Sequence, residues 1–470
     1  MNQTPDSRSP TLRSRAIDLL SRFGMVLVLL LLCAFFSVVT YQDQAQTGAS
    51  AGEQVADAVR AKHGNAPRLL FILRDRDEDR AYAGAVYRSF SAALDKADND
   101  RSPALPQPPT TITGQPRDVR RTFEELRARK KTFDAIVATD VTASWLVVAE
   151  RGEIDPALAR VPVYKPVPYR WPNFLKRSNL LNIANQIAVI AIVAIGATLV
   201  IITGGIDLSV GSLLALSAVV AALLIELGGG VRASVVVMTA ACLAAIVVCG
   251  LIGLGSGALI TLLRIRPFIV TLAMMLVARG AAFMLARGQS VYKVPESFVW
   301  LGRGADLFGI PNAVVLTILL YLVAHVLMSR TVLGRHLYAV GGNPRAAFLS
   351  GIPVKGVVTF AYVCSGALAG VGGVVMASTY RGGSPNYGNM YELYAIAAVV
   401  VGGTSLKGGS GRVVDTLIGA LIIAVIQNGM NLTSVEPYTQ MVVLGLVILG
   451  AVVLDTLRQR LLTGRTEDDA

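Results

Sequence analysis

Apolar segments of membrane-spanning length recur through most of the chain. They cover residues 25–41, 183–203, 208–226, 233–260, 268–286, 312–328, 357–377, 393–403, 412–431 and 439–456. A bilayer core needs about 20 apolar residues per helix. The pattern therefore predicts an all-α polytopic membrane protein with about ten transmembrane helices. The 393–403 segment is short, which indicates a broken or re-entrant helix.

Basic residues flank these segments unevenly. Four arginines precede the first segment, which places the N-terminus (1–24) in the cytoplasm. That segment also resembles a signal-peptide core followed by small residues at Gly48–Ala51, so cleavage is an alternative. We favour an uncleaved anchor (25–41), because alternation then leaves the basic segments 264–266, 330–355, 407–412 and the tail 457–470 on the cytoplasmic side. The protein is expected in a bacterial inner membrane, with both termini cytoplasmic.

Residues 42–170 differ from the rest, with about half of the charged residues and no segment long enough to span. Alternating patterns predict strands and helices in turn, with a proline-rich turn at 103–109, and hence an inserted α/β domain outside the membrane. The predicted strands are 69–73, 110–113, 134–138 and 161–164, and the predicted helices are 81–97, 117–129 and 141–150. The order resembles one lobe of the periplasmic sugar-binding proteins. A plain spacer domain is the alternative.

Composition narrows the functional classes. The chain has 470 residues, 53% of them hydrophobic and 16% charged, with a net charge of +12. The basic residues lie mostly at the ends of apolar segments rather than in a patch with aromatic residues, so we predict a lipid bilayer partner and no nucleic acid. Four scattered cysteines and three scattered histidines form no metal-ligand spacing, so we predict no metal site and no catalytic residue.

Two glycine-rich stretches lie between apolar segments. The first, 204–212, contains Asp207, and a carboxylate at membrane depth favours a position on a water-filled path; a surface loop that caps the next helix is the alternative. The second, 402–411, lacks the GxxxxGK[ST] order of a phosphate loop. Residues 204–212 and 402–410 share glycine, leucine and serine at equal offsets, as repeats around a substrate path do, although chance is an alternative. Residues 253–258 match a dinucleotide fingerprint only weakly, and close helix packing is favoured.

Residues 171–456 resemble the permease subunits of ribose-type ABC sugar importers. The matching stretches are 172–174, 179–183, 205–212, 338–343, 350–352, 391–393, 395–399, 402–406 and 428–432. The resemblance implies a homodimer or heterodimer of permeases, a separate ABC ATPase subunit and a periplasmic sugar-binding protein. It also implies that this chain binds no cofactor, because ATP and Mg are used by the ATPase.

The resemblance also implies one set of site residues, and we infer a second set beside it. The set implied to couple to the ATPase is Gly341, Gly342, Asn343, Pro344, Arg345, Ala346, Ser350 and Gly351. The set inferred for the substrate path or its gate is Gly204, Gly205, Asp207, Ser209, Glu392, Thr404 and Ser405. Two departures from the family pattern are Tyr394, where the family usually has an acidic residue, and the insertion 42–170.

Two other functions stay open. A receptor would use residues 42–170 to sense a ligand, although the tail is too short for a cytoplasmic signalling domain. A branched-chain amino-acid importer permease is a related class, and the 205–212 stretch favours the sugar branch over it.

Overall fold

The computed structural model describes residues 12–97 and 109–467, with side chains for 24–91 and 109–453. Residues 1–11 of the predicted N-terminal segment, most of the proline-rich turn and residues 468–470 of the predicted tail lie outside this range. The chain forms two compact units. One is Tyr41–Pro172, and the other combines the chain before Tyr41 with the chain after Pro172.

The chain begins with helix α1 (Leu12–Val39) and then enters the Tyr41–Pro172 unit. Its strands are β1 (Tyr41–Gln44), β2 (Leu69–Leu73), β3 (Thr110–Thr113), β4 (Ala135–Ala138), β5 (Val163–Tyr164) and β6 (Tyr169–Pro172). Its helices are α2 (Gly48–His63), α3 (Asp77–Ala97), α4 (Pro116–Ala128), α5 (Asp140–Ala143), α6 (Leu146–Ala149) and α7 (Arg151–Ile154). Strands β2–β5 form a parallel sheet in the order β3-β2-β4-β5, while β1 and β6 pair as an antiparallel ribbon.

Both faces of the parallel sheet are covered. Alternate residues of β2 point to opposite faces, so Phe71 packs in a cluster with α2 and α3, while Leu70 and Ile72 pack in a second cluster with α4. A sheet buried on both faces has continuous apolar strands, which explains the uniformly buried β2 and β4.

The second unit is helical. After Pro172 the helices are α8 (Arg177–Ile202), α9 (Val210–Leu227), α10 (Val235–Leu262), α11 (Pro267–Leu285), α12 (Trp300–Arg303), α13 (Asn312–Arg330), α14 (Val332–Gly342), α15 (Pro344–Leu349), α16 (Val354–Tyr380), α17 (Tyr391–Val401), α18 (Val413–Leu432) and α19 (Pro437–Glu467). Among the described residues, seven helices (α8–α11, α13, α16 and α18) are long and apolar enough to cross a membrane. Three shorter apolar stretches lie at Gly24–Val39, Tyr391–Val401 and Pro437–Val453. The chain is therefore an all-helical polytopic membrane protein with a separate unit between its first two apolar helices.

Helix α8 lies at the centre of this unit, with every residue from Ile187 to Ile202 buried. Helix α16 packs against α10 through small residues, because Gly253 and Gly257 leave room for the α16 backbone at Tyr362 and Thr359. The prediction that residues 253–258 serve close helix packing is confirmed.

One local prediction was wrong. Residues 141–150, predicted as one helix, form parts of two short helices, α5 and α6, and α7 begins after them at Arg151. The small residues at Gly48–Ala51 begin α2, whose buried Val55 and Val59 pack on α3. The stretch before Asn343 is helix α14; its glycines weaken the helical pattern, but Leu337 and Val340 lie one turn apart on its buried face.

Candidate functional site

The α8–α9 connection breaks the helix at Gly204. Gly204 has φ +80°, and the Gly205 amide donates to the carbonyl of Val200 while the Gly204 amide donates to Ile201. This pair of bonds is the usual end of a helix at a left-handed glycine. Residues 205–209 then run without helical bonds to α9, so their polar groups are free to face the bundle.

Asp207 is the buried charge at this break, with 4% of its surface exposed. Its Oδ1 accepts hydrogen bonds from the Ser209 amide (2.9 Å) and hydroxyl (2.6 Å), and its Oδ2 accepts one from the Ser365 hydroxyl of α16 (2.8 Å). Each hydrogen bond to a charged group contributes about 1.5–3 kcal/mol. Placing a carboxylate at the centre of a membrane helix costs about 2.5–3.5 kcal/mol by insertion scales. Three bonds are therefore enough to hold Asp207 here.

Glu392 packs against the first turn of α9, which follows the break. It lies in the first turn of α17, and a Cβ atom on Gly211 would collide with its carboxylate and with the carbonyl of Gly388. Its Oε2 is buried and has no hydrogen-bond partner among the described residues. The structure thus brings Asp207, Ser209 and Glu392 together around the first turn of α9.

Thr404 and Ser405 lie elsewhere. They follow the opposite end of α17, which is 11 residues and so about 16 Å long. Thr404 is buried beside Gly411, and the Ser405 amide donates to the carbonyl of Ser410. They form part of the loop between α17 and α18, not of the Asp207 and Glu392 cluster.

The two glycine-rich stretches end their helices alike. The Thr404 amide donates to Val399 and the Gly403 amide to Val400, and Gly403 has φ +91°. The bonds repeat those of α8 with an offset of 199 residues, whereas the sequence match has an offset of 198. The two stretches therefore share a type of helix ending, but they are not the residue-by-residue repeat that the sequence match indicates.

Three backbone segments meet beside the end of α8, and we call their meeting point the glycine junction. A Cβ atom on Gly341 would collide with the Ile202 carbonyl oxygen and the Gly409 nitrogen. The Gly409 amide donates to that same carbonyl at 2.9 Å. The glycine junction joins the end of α14, the end of α8 and the α17–α18 loop. Gly341 is thus packed inside the unit, whereas Gly342 faces open space.

The remaining residues of the predicted coupling set surround α15. The Asn343 side chain accepts hydrogen bonds from the amides of Arg345 and Ala346 and so caps this helix, and Pro344 begins it. Arg345, Ala346, Ser350 and Gly351 are exposed.

The largest exposed apolar groups of α15 are side chains outside the predicted set, since Phe348 is 69% and Leu349 81% exposed. A cavity of about 750 Å³ lies beside Phe348, with Arg264 and Lys355 among its lining residues. The surface therefore combines apolar contact area with positive charge. The available sequence signal for this surface was the pair of apolar residues, Phe348 and Leu349, in an otherwise polar stretch.

Arg279 of α11 is a further polar residue that the sequence patterns did not select. Its Nη1 donates to the carbonyls of Pro385 and Tyr387, both at 3.0 Å. A single arginine inside the apolar segment 268–286 was the available signal, since ionisable residues within spans are expensive and usually functional.

A bundle of span-length helices with a buried carboxylate at a helix break is the architecture of a membrane transport protein. Residues 179–452 match the family model described as branched-chain amino acid transport system / permease component. The match covers more than half of the chain, and the chain belongs to this permease family.

Among curated proteins, the chain is 44% identical over 292 residues to the ribose import permease protein of Escherichia coli, covering 61% of this chain and 88% of the relative. It is 38% identical over 284 residues to the D-allose transport system permease protein of Escherichia coli (60% and 85%). It is 39% identical over 322 residues to a probable ABC transporter permease protein of Sinorhizobium fredii (67% and 92%). No solved structure matches the chain. The chain is a transport permease, and its relatives support the sugar reading above the amino-acid alternative.

Proposed function

We propose that this chain is the transmembrane permease subunit of an ATP-driven ABC importer for a monosaccharide or a related polyol. One observation carries the proposal: 61% of the chain aligns with 88% of a ribose import permease at 44% identity. In this proposal, residues 42–170 form an added extracytoplasmic α/β domain between the first two spans.

Ten helices cross the membrane in this proposal. Seven are long and apolar enough, and the three shorter apolar stretches in the first helix, α17 and α19 complete the set. We retain α1 as an uncleaved span because it packs into the bundle, where Phe36 fills the space left by Gly429 of α18. Basic loops then face the cytoplasm together with both termini.

The energy comes from a separate ATPase that uses ATP and Mg. The surface around α15 fits its docking site, because an apolar group on a short exposed helix inserts readily into a groove of a partner. Phe348 and Leu349 supply that group, and Arg345 and Lys355 add charge. The glycine junction next to α15 passes a displacement of the docked helix to the α8–α9 break.

The path for the sugar runs past the first turn of α9 in our proposal. Ser365 and Ser209 fix Asp207 at the break. An oxygen of Glu392, which has no hydrogen-bond partner within the described ranges, lies against the same turn. A second permease chain completes the path, and an extracytoplasmic binding protein delivers the sugar.

Uptake and labelling test this proposal together. Cells that express the chain with the ATPase and binding protein of its own importer should accumulate radiolabelled D-ribose or D-allose, and cells without the ATPase should not. In a variant lacking Cys33, Cys242, Cys249 and Cys364, Ser350→Cys should resist a membrane-impermeant maleimide in intact cells, while Asn389→Cys should react. Uptake without the ATPase, or external labelling at position 350, would contradict the proposal.

A further inference from the structure

Residues 381–392 comprise the connection between α16 and α17 and the first two residues of α17. They turn back along α9, and we call them the re-entrant segment. Gly383 packs against the carbonyl of Ala218, and Gly388 packs against the carbonyl of Gly211. The contact point therefore moves by seven residues along α9, or about 10 Å. The re-entrant segment thus runs from one end of α16 to the turn that holds the Asp207 cluster.

Backbone conformation fixes both ends of this segment. Arg381 (φ +53°) and Met390 (φ +65°) are left-handed without being glycine, a conformation that costs about 1–3 kcal/mol and persists only where surrounding contacts enforce it. Near the first end, Gly383 pairs with Val291 through two backbone hydrogen bonds of 2.8 and 2.9 Å. The conformation of the segment is therefore fixed by its contacts with the surrounding helices.

Arg279 holds the middle of the segment. Non-helical backbone among membrane helices needs donors for its carbonyls, and one guanidinium nitrogen satisfies those of both Pro385 and Tyr387. An intramembrane arginine used in this way positions a segment whose own side chains remain free for other contacts.

Those side chains suit a polyhydroxylated ligand. Asn386 and Asn389 are exposed amides, each with donor and acceptor atoms. Tyr387 is half-buried against Tyr380, with ring centroids 5.4 Å apart, and adds an aromatic face and a hydroxyl. Glu392 ends the segment with a buried carboxylate oxygen that lacks a hydrogen-bond partner in the described part of the chain.

We propose that the re-entrant segment is a low-affinity contact site for the transported sugar on the extracytoplasmic half of the path. Asn386, Asn389 and Glu392 bind its hydroxyl groups, and Arg279 is the positioning residue. The inference deepens the proposed function and rests on it. The occupant is a neutral polyol because the amides and the phenol of Tyr387 can donate to and accept from hydroxyl groups, and the carboxylate of Glu392 can accept from them.

Direct binding to the full chain in lipid nanodiscs tests the proposal. Saturation-transfer NMR with D-ribose and with D-allose should give a signal from at least one sugar in the wild-type protein. Loss of two hydrogen bonds in Asn386→Ala/Asn389→Ala should weaken that binding about tenfold or more, and Glu392→Gln should weaken it as well. Tyr438→Ala, a change at a 75% exposed tyrosine in the first turn of α19, is the control and should keep the wild-type signal.

The kinetics of sugar uptake can separate a positioning role of Arg279 from a purely structural role. Arg279→Ala should raise the KM of sugar uptake by the complete importer with less effect on maximal rate, and Arg279→Lys should restore much of the loss, because an ammonium group also donates to carbonyls. Equal effects of both substitutions on maximal rate alone would overturn the positioning role.

Two further outcomes overturn the contact site. One is equal sugar signals in the wild type, the asparagine variant and the control, or no signal in any of them. The other is an asparagine variant that still binds sugar but has lost the ATP hydrolysis stimulated by the binding protein. That result would make the segment a docking surface for the binding protein. Failure of the proposed function is seen separately, as absent ATP-dependent uptake by the wild-type importer.

Discussion

The Ser365 hydroxyl donates a hydrogen bond to Asp207 Oδ2 at 2.8 Å, across 158 positions of sequence. It joins the middle of α16 to the break before α9. Both residues are buried, so the bond is formed away from competing water. This contact makes Asp207 a link between two elements of the bundle as well as a polar group near the proposed path.

Removing that hydroxyl should destabilise the break. Ser365→Ala leaves Oδ2 without its donor, and a lost bond to a charged group costs about 1.5–3 kcal/mol. We expect a lower midpoint of thermal unfolding in detergent and reduced uptake.

Ser212 provides the matched control for this substitution. It is equally buried, and its hydroxyl has no hydrogen-bond partner among the described residues. Ser212→Ala should therefore leave the midpoint unchanged or raise it. Equal midpoints for Ser365→Ala and Ser212→Ala would show that the Asp207 bond contributes nothing.

Two adjacent glycines should respond differently to alanine. Gly341→Ala forces a methyl group against the Ile202 carbonyl and the Gly409 nitrogen, whereas Gly342→Ala enters open space. Overpacking costs about 1–3 kcal/mol, and a coupling change of that size is about 5–150-fold. We expect Gly341→Ala to reduce transport-coupled ATP hydrolysis by at least about fivefold. Normal coupling in Gly341→Ala, measured with the complete importer, would rule out the glycine junction as the transmission point.

The exposed apolar residues of α15 should anchor the ATPase. Phe348→Ala/Leu349→Ala removes the apolar contact area, and truncation of an anchor residue typically costs 2 kcal/mol or more. Co-purification of the ATPase with the permease should fall about tenfold or more. Phe308→Ala, at an 82% exposed phenylalanine between α12 and α13, is the control. If Phe308→Ala reduces co-purification as strongly, the α15 surface is not the specific contact.

An ion pair in the Tyr41–Pro172 unit should give that unit a pH-dependent stability. The side-chain hydrogen bond from Arg68 is the main cause that holds the pKa of Asp134 below its ordinary value. Because the folded state binds the proton less tightly, the stabilisation is complete above about pH 4 and is lost as pH falls through the lowered pKa.

Tryptophan fluorescence can follow this unit alone. Trp300→Phe leaves Trp145 and Trp171 as the tryptophans of the chain, both within the unit. In that background, Asp134→Asn should lower the unfolding midpoint at pH 7 and flatten its decline in acid. Glu125→Gln, which breaks an exposed pair with Arg121, is the control with little expected effect. An unchanged acid profile in Asp134→Asn would contradict the assignment.

Local periodicity predicted most elements well. Strands β2 and β3 have the predicted bounds, because each is a short segment with its own pattern and its own end signals. Helix α14 was missed because Gly334, Gly341 and Gly342 weaken the helical pattern, although Gly341 permits its close packing on α8 and the α17–α18 loop.

The site was less predictable than the fold. Asp207 stood out as a charge between apolar segments, but nothing in the local pattern selects Ser365 from the many serines as its partner. Thr404 resembled part of the same site because its stretch shares letters with 204–212, yet the length of α17 separates it from Glu392. Arg279 gave a signal by its position in a span, but its acceptors are backbone carbonyls, which no side-chain pattern reveals.

A sugar path through this chain, driven by a separate ATPase, can be tested in proteoliposomes that contain the purified chain and are given radiolabelled D-ribose or D-allose. We expect accumulation of at least one sugar against its gradient only when the ATPase, the binding protein, Mg and ATP are all present. Accumulation without the ATPase, or ATP hydrolysis by the chain alone, would contradict it.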